Sequence, residues 1–217
     1  MKFAGKTFGV ALAISLAGTV GAFASTIDLT SNSGYTQTAT SASGSVDGVS
    51  WTITPVPAAG PLTYTAFDCN CTVGSMPGGL AYQNDGIGVI DDEVSFETES
   101  LTMTFGQEVT VTGVYVLDLF ALETTKIYDQ NNVLIGTIST TTASGDNTQD
   151  GYAYIAFSTG VAVTSLTFLA GNQNDAFGNP DFALAAVTLA PIPVPAAGLL
   201  LLGGLGALGA AKRRRKA

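Results

Sequence analysis

Histidine is absent from the 217 residues, and only eight lysines and arginines stand against seventeen aspartates and glutamates. Without imidazole, Ser-His-Asp and Cys-His nucleophile arrangements are excluded, as are zinc sites built on histidine. Seven of the eight basic residues also lie at the ends. Lys2 and Lys6 lie at the start, and Lys212, Arg213, Arg214, Arg215 and Lys216 fill five of the last six positions. Between Ser25 and Pro195 a single lysine, Lys126, faces all seventeen carboxylates, a net charge of −16. That body has no basic patch to release counterions, which excludes nucleic acid as a partner. Phosphorylated or carboxylated ligands would likewise find no Arg or Lys clamp. Such a body is expected to be soluble, self-repelling and receptive to cations.

Cysteine is nearly absent too. Cys69 and Cys71 are the only two, in "FDCNCT". In an exported chain the default is a disulfide, here a local Cys69–Cys71 bridge closing a small strained ring; free thiols and intermolecular pairing are the alternatives. Two cysteines alone do not complete a structural zinc site.

Helical periodicity is missing from residues 25–190. What replaces it is alternation. In "GVSWTITPV", Val49, Trp51 and Ile53 fall on one face, with Ser50, Thr52 and Thr54 on the other. "SLTMTFG" repeats the pattern with Leu101, Met103 and Phe105. "VTVTGVYVLDLF" is a longer run whose Gly113 marks a bulge or a close backbone approach. "KIYDQNNVLIGTIS" predicts a hairpin turning at Gln130-Asn131-Asn132, and "GYAYIAFS", "VTSLTFLAG" and "DFALAAVTLA" complete the runs. "TSNSGYTQTATSASGS" predicts a weakly paired first strand with a mobile loop, and "TTTASGDNTQDG" a second loop. Short threonine-, valine- and aromatic-rich runs between turn residues predict an all-β body. The expected fold is one antiparallel β-sandwich domain over 25–190, jelly-roll-like, with eight to ten strands.

The ends read differently. Lys2 and Lys6, the apolar stretch from Phe8 to Val20 and the small-x-small Ala22-Phe23-Ala24 predict a secretory signal peptide over 1–24, cut before Ser25. At the other end, prolines in residues 191–195 impose an extended spacer. Ala196 to Ala211 then carry no polar side chain. As a helix these residues would span about 24 Å at 1.5 Å per residue, short of the roughly 30 Å hydrocarbon core. Snorkelling by Lys212, Arg213, Arg214, Arg215 and Lys216 covers part of that deficit and holds residues 212–217 in the cytoplasm. Residues 196–211 are thus expected to be a single transmembrane helix.

Ile192-Pro193-Val194-Pro195-Ala196, followed by "AGLLLLGGLGALGAAKRRRKA", resembles the sorting signals of the PEP-CTERM group, and most closely the VPLPA-CTERM form. Ile192 stands where that form has its first valine and Val194 where it has leucine; both prolines and the alanine agree. The resemblance covers about the last twenty-six residues. It implies processing by an exosortase, a membrane-embedded enzyme of Gram-negative bacteria that make exopolysaccharide and biofilm. The tail would hold the exported protein in the inner membrane until cleavage near the proline motif releases it to the cell surface or extracellular matrix. The body adds a looser match. "NDGIGVIDDEVSFETESLTMTFGQEVTVTGVYVLDLF" and "GNPDFALAAVTL" look like segments common in bodies that carry such tails, which supports the sandwich.

Three chemistries are candidates in the body. Asp85, Asp91, Asp92 and Glu93, interleaved with Gly86 and Gly88, offer hard oxygens suited to Ca²⁺, and Asp181 is expected to approach from the last strand. A solvated acidic loop is the alternative. No stretch has EF-hand spacing. Among aromatics, Trp51, Tyr64, Tyr82, Tyr152 and Tyr154 are candidates for a sugar-stacking platform. Trp51 sits on the apolar face of its strand and is better explained by core packing; Tyr152 and Tyr154 share a face and are the better glycan candidates. Glu93, Glu97, Glu99, Asp118 and Glu123 leave a paired-carboxylate hydrolase formally open. Outward-facing strand carboxylates explain them as well, and the chain is not expected to be an enzyme. The sequence therefore reads as an exported surface or matrix protein, structural or adhesive and calcium-stabilised, with a carbohydrate-binding module as the alternative. Exopolysaccharide is the expected partner beyond the sorting enzyme.

Overall fold

The structure is a computed structural model describing residues 24–57, 60–65, 79–119, 123–139, 151–171 and 180–191. Among these there is no helix. The strands are β1 (Ser25–Asp28), β2 (Tyr35–Gln37), β3 (Ala42–Val46), β4 (Val49–Val56), β5 (Leu62–Thr63), β6 (Gly88–Val89), β7 (Ser100–Leu117), β8 (Thr124–Asp129), β9 (Leu134–Ser139), β10 (Tyr152–Ala170) and β11 (Ala183–Leu189). All pairings are antiparallel. Nine of them form one sheet and the two-residue strands β5 and β6 pair separately, so the described residues hold eleven strands where eight to ten were expected.

Two long strands organise that sheet. β7 and β10, of 18 and 19 residues, pair from Leu101↔Phe168 to Leu117↔Tyr152. On the other side of β7, β4 takes residues 100–105 and β11 takes residues 111–117. β3 and β2 extend the sheet beyond β4, β8 and β9 extend it beyond the C-terminal half of β10, and β1 lies beyond β11. The β7–β10 ribbon thus belongs to two half-sheets, β2-β3-β4-β7-β10-β8-β9 and β1-β11-β7-β10. They enclose a single hydrophobic cluster, with Trp51, Ile53, Met103 and Phe168 from the first and Ile27, Val114 and Val187 from the second. The body is sandwich-like, but its layers are one continuous bent sheet.

That continuity corrects the strand list read from periodicity. "SLTMTFG" and "VTVTGVYVLDLF" are one strand, and so are "GYAYIAFS" and "VTSLTFLAG". The β7–β10 ladder shifts register between Ala156 and Val161 and again between Val163 and Ser165 without breaking the strands. Bulges of this kind bend a strand and let it pass from one layer to the other. "TSNSGYTQTATSASGS" contains a short strand, β2, as expected, and also most of β3, which was not expected there. Tyr35 of β2 donates to the Leu29 carbonyl at 3.1 Å and lies 5.8 Å from the Trp51 ring.

Gly113 serves both functions expected of it. Residues of β7 in the main core fall on odd positions through Val109 and Val111, then on even positions at Val114 and Val116, while the buried Leu117 packs in a separate cluster. The flip occurs where the β11 ladder steps from Thr188↔Gly113 to Leu189↔Val111, leaving Thr112 as the extra residue of a bulge. A Cβ on Gly113 would lie 2.7 Å from Thr188 Oγ1 and 3.2 Å from the Ile155 carbonyl oxygen. The predicted hairpin is present as β8–β9. Asp129 Oδ1 accepts from the Asn131 and Val133 amides at 2.8 and 2.9 Å, and Asn132 takes φ +59°.

Gly113→Ala should destabilise the body by about 1–3 kcal/mol through overpacking, measured as a lower urea midpoint with unchanged slope. Adding Thr188→Ala removes the nearer clashing atom and should recover part of that loss. Wild-type stability in Gly113→Ala would show that the close approach is not a constraint.

Candidate functional site

Because the β7 parity flips at Gly113, Tyr115 leaves the core side and faces outward. On β10, Tyr152 and Tyr154 alternate with inward Ala153 and Ile155, and register places Tyr154 opposite Tyr115 and Tyr152 opposite Leu117. The Tyr115 and Tyr154 rings stack, with centroids 5.4 Å apart and planes 16° from parallel. Tyr152 lies 6.0 Å from Tyr115 and 6.3 Å from Tyr154, tilted against both. Aromatic pairs at such spacings contribute about 0.5–1.5 kcal/mol each beyond the area they bury. Beneath them a second, smaller apolar cluster of Leu80, Leu117, Ala185 and Ala186 packs against Tyr82, Tyr115 and Tyr152.

Tyr82 arrives from outside the sheet and needs a tether. The Asp28 carboxylate at the end of β1 accepts from the Thr30 amide at 2.9 Å and hydroxyl at 2.7 Å, and from the Ala81 amide at 2.9 Å. Thr30 Oγ1 in turn accepts the Tyr82 amide at 2.9 Å, and the Thr30 carbonyl accepts the Gln83 amide at 2.8 Å. These bonds hold Tyr82 at φ +49°, a left-handed geometry that a bulky residue rarely adopts. Burial, then the nearby Asp28 charge, pushes the Tyr82 phenol up to about 12.

Exposure grades across the cluster. Tyr154 is 53% exposed, while Tyr82, Tyr115 and Tyr152 are half-buried. The Tyr152 hydroxyl has no hydrogen-bond partner among the described residues, and burial, with Tyr115 next, pushes its ionisation upward. The result is a ledge of flat, uncharged rings on a packed base, with the Asp28 carboxylate beside its Tyr82 end. Such a surface offers stacking to an apolar ring face.

The two predicted glycan residues, Tyr152 and Tyr154, are therefore brought together, and Tyr82 joins them. Trp51 is 4% exposed and lies in the core; Tyr64, 46% exposed, is not part of the ring cluster. Tyr115 went unrecognised. Strict alternation through "VTVTGVYVLDLF" puts it on the same face as Val109 and Val111, and only the bulge at Gly113 turns it outward.

Four of the five residues expected to line a cation site are grouped around Glu93. Its carboxyl hydrogen-bonds to Asp181, and burial, followed by the charges of Asp181, Asp92 and Asp91, raises it to about 8. Asp85 is buried and accepts the Thr65 hydroxyl instead. The loop backbone is fixed by bonds from Val89 to the Glu93 carbonyl at 2.7 Å, Ile90 to Pro61 at 2.8 Å and Val94 to Phe182 at 2.7 Å. Gly88 permits this fold, because a Cβ there would lie 1.9 Å from the Asp92 carbonyl carbon. Two carboxyls that hydrogen-bond to each other share a proton, so a cation at this pair would have to displace it. Among the described residues no group of three or more His, Cys, Asp or Glu side chains is arranged to hold a metal ion.

Cys69 and Cys71, the sorting motif Ile192–Ala196, the membrane stop at 212–216 and the signal peptide up to residue 23 lie outside the described residues.

The class defined by fold and site is an antiparallel, sandwich-like β-domain with an external tyrosine ledge. No family model matches the chain, and no curated protein matches it. Among solved structures it is similar to CBM32-3 from a family 31 glycoside hydrolase from Clostridium perfringens. That similarity has 16% identity and a TM-score of 0.28, covering 42% of this chain and 66% of that one. At that score nothing about this chain follows from the likeness.

The Glu93–Asp181 pair carries a pH signature. Folded Glu93 holds its proton up to about pH 8, whereas an unfolded glutamate releases it near its ordinary value of 4.5. The folded state therefore binds more protons across that interval, and the stabilisation, full below it, is lost as pH rises towards 8. Glu93→Gln should flatten this decline, matching wild type near pH 5 and melting higher near pH 8–9 in thermal scans. A Gln variant that declines in parallel with wild type would show that the pair does not set the slope. A rise in Tm with added Ca²⁺ at pH 8, absent from the Gln variant, would place a cation on the pair.

Proposed function

We infer that this chain is an exported surface or extracellular-matrix protein whose β-domain engages glycan through its tyrosine ledge. The observation carrying the glycan reading is the Tyr115–Tyr154 stack, continued by Tyr152 and ending in a ring that is half open to solvent. Sugar rings present flat C–H faces that stack on aromatic side chains, and sugar hydroxyls can be met at the phenol rim. The four rings are themselves uncharged in a body of net charge −16, so an uncharged sugar can stack on them without a charged side chain in the stack. A structural or adhesive role follows, with no catalytic step.

The export half of this reading rests on the residues at the two ends. A positive, apolar, small-x-small start and a Pro193/Pro195 motif before an apolar stretch and basic terminus support passage through the inner membrane of a Gram-negative bacterium. An exosortase-type enzyme would release the chain there, and exopolysaccharide is the glycan it would meet. Calcium at the Glu93 group is a secondary proposal within this reading.

Glycan-array binding by the purified full-length protein should fall at least tenfold in Tyr154→Ala and in Tyr115→Ala, with melting temperatures within a few degrees of wild type. Undiminished binding in both variants would remove the ledge from the reading. For the sorting half, joint Pro193→Ala and Pro195→Ala replacement should leave an uncleaved, membrane-retained form visible by intact mass. Normal release of the double variant would refute the motif.

A further inference from the structure

The other outer surface of the domain has a different chemistry. Where β2, β3, β4, β7 and β10 pair in register, their outward residues are Thr36, Ser43, Thr52, Thr104 and Ser165. This is one unbroken row of hydroxyls across five strands. One rung along lies a second row, Thr54, Thr102, Thr167 and Tyr128, and on the opposite flank Ser45 pairs with Ser50. Thr36, Thr52, Thr54 and Thr104 are exposed, and Ser43, Thr102, Ser165 and Thr167 are half-buried. Over β2–β4 the surface dips into an open groove of about 620 Å³, lined by Thr36, Ser43, Ser45, Ser50 and Thr52 together with Tyr35. At 4.7–4.9 Å between strands, the five-residue row is about 19 Å long.

None of these eleven positions is charged, although the body carries seventeen carboxylates. Lys126, two residues from Tyr128 along β8, only borders the array. An exposed sheet face that ends in an edge strand is ordinarily guarded by charge, Pro or a bulge against pairing with other chains. β2 is such an edge; it has none of these along Tyr35–Gln37 and is blunted by being only three residues long. A stretch of eleven uncharged positions, with Glu108 further along β7 as the next acidic residue of the same parity, is what a surface needs if its ligand is neutral and hydroxyl-rich. Each Ser or Thr hydroxyl both donates and accepts, so the array can answer a sugar hydroxyl in either orientation, and the Thr methyls give apolar contact between. Anions find no cation on it, and a divalent cation finds better oxygens on the carboxylates. A second copy of a body at −16 is repelled.

We propose that this hydroxyl face is a second polysaccharide surface, for neutral glycan lying across the strands. Only its ligand class rests on the glycan reading of the tyrosine ledge. The ledge lies on the other half-sheet, facing away from the shared core. A chain with both surfaces bridges two polysaccharide strands, which turns a glycan binder into a cross-linker of matrix.

The test is affinity electrophoresis of the full-length protein in mild detergent, in gels containing hydroxyethylcellulose, xyloglucan, galactomannan or, as the anionic control, alginate. Wild type should be retarded by at least one neutral polymer and not by alginate. Thr52→Glu with Thr104→Glu should weaken retardation about tenfold, Thr52→Ser with Thr104→Ser should preserve it, and Tyr154→Ala should leave the residual binding of the hydroxyl face. Thr104→Glu alone, at an exposed position, serves if the double variant melts early. Wild type should also raise the viscosity of the retarding polymer, and either single-face variant should bind without doing so. Full retardation in both Glu variants would overturn the hydroxyl face while leaving the ledge intact. Loss of all binding in Tyr154→Ala would do the same. Concentration-dependent dimers in light scattering that Thr104→Glu dissolves would make the face a self-contact and overturn the proposal. Undiminished binding in Tyr154→Ala with loss in the Glu variants would retire the ledge and keep this face. No retardation by any neutral polymer would overturn both.

Discussion

Everything in this domain depends on the continuous antiparallel pairing of β7 with β10. Each strand runs through both half-sheets, so a single ladder decides which residues face the core in both layers. Side chains alternate strictly along a strand, so one inserted residue moves every later side chain to the other face. The bulge at Thr112–Gly113 is such an insertion. It sends Val114 and Val116 inward against Val187 and Ile27, and it turns Tyr115 outward. A domain lacking that extra residue would bury Tyr115 and expose Val114. Core and ledge are two outcomes of one backbone event.

The same event explains why the two outer surfaces differ. Before the bulge, outward positions of β7 are Thr102 and Thr104, matched across the ladder by Thr167 and Ser165. Beyond it, the outward positions are Tyr115 and Leu117, matched by Tyr154 and Tyr152. One half-sheet therefore presents hydroxyls and the other presents rings. The ring side is not left as a bare apolar patch, because the segment from Leu80 to Asn84 folds over it. The Asp28–Thr30 bonds hold that segment, and they join the first strand to a residue more than fifty positions later.

Elements whose pattern is local were legible in the sequence. The alternation of Val49, Trp51 and Ile53 and of Leu101, Met103 and Phe105 is seen directly in their burial, and Asp129 with Asn132 makes the turn foreseen for the β8–β9 hairpin. Glycine at 113 announced a bulge. What could not be read was its consequence, because whether a glycine shifts parity by one residue depends on the partner strand, which pairs Gly113 with Thr188, far along the chain. For the same reason the long strands look like two runs each: a bulge and a turn have the same small and polar residues, and only the ladder tells them apart. Glu93 and Asp181 could be suspected of meeting, but Asp85, close in sequence to Asp91, is committed to Thr65 and buried. β6 separates the two carboxylate positions along the chain.

Charge then sorts the surfaces by what they can approach. Most of the described carboxylates occupy loops and strand ends, among them Asp47, Asp91, Glu97 and Asp129; Glu108 is exposed within β7, while the hydroxyl rows and the ring positions themselves are uncharged. With a Debye length of about 8 Å at physiological ionic strength, the acidic perimeter holds other copies and anionic polymers at a distance. Its reach is short enough that a neutral chain crossing the middle of a face does not feel it. Lower salt should extend the repulsion without strengthening attraction to a neutral ligand. Selectivity for uncharged glycan would therefore come from what surrounds each face as much as from the hydroxyls and rings upon it.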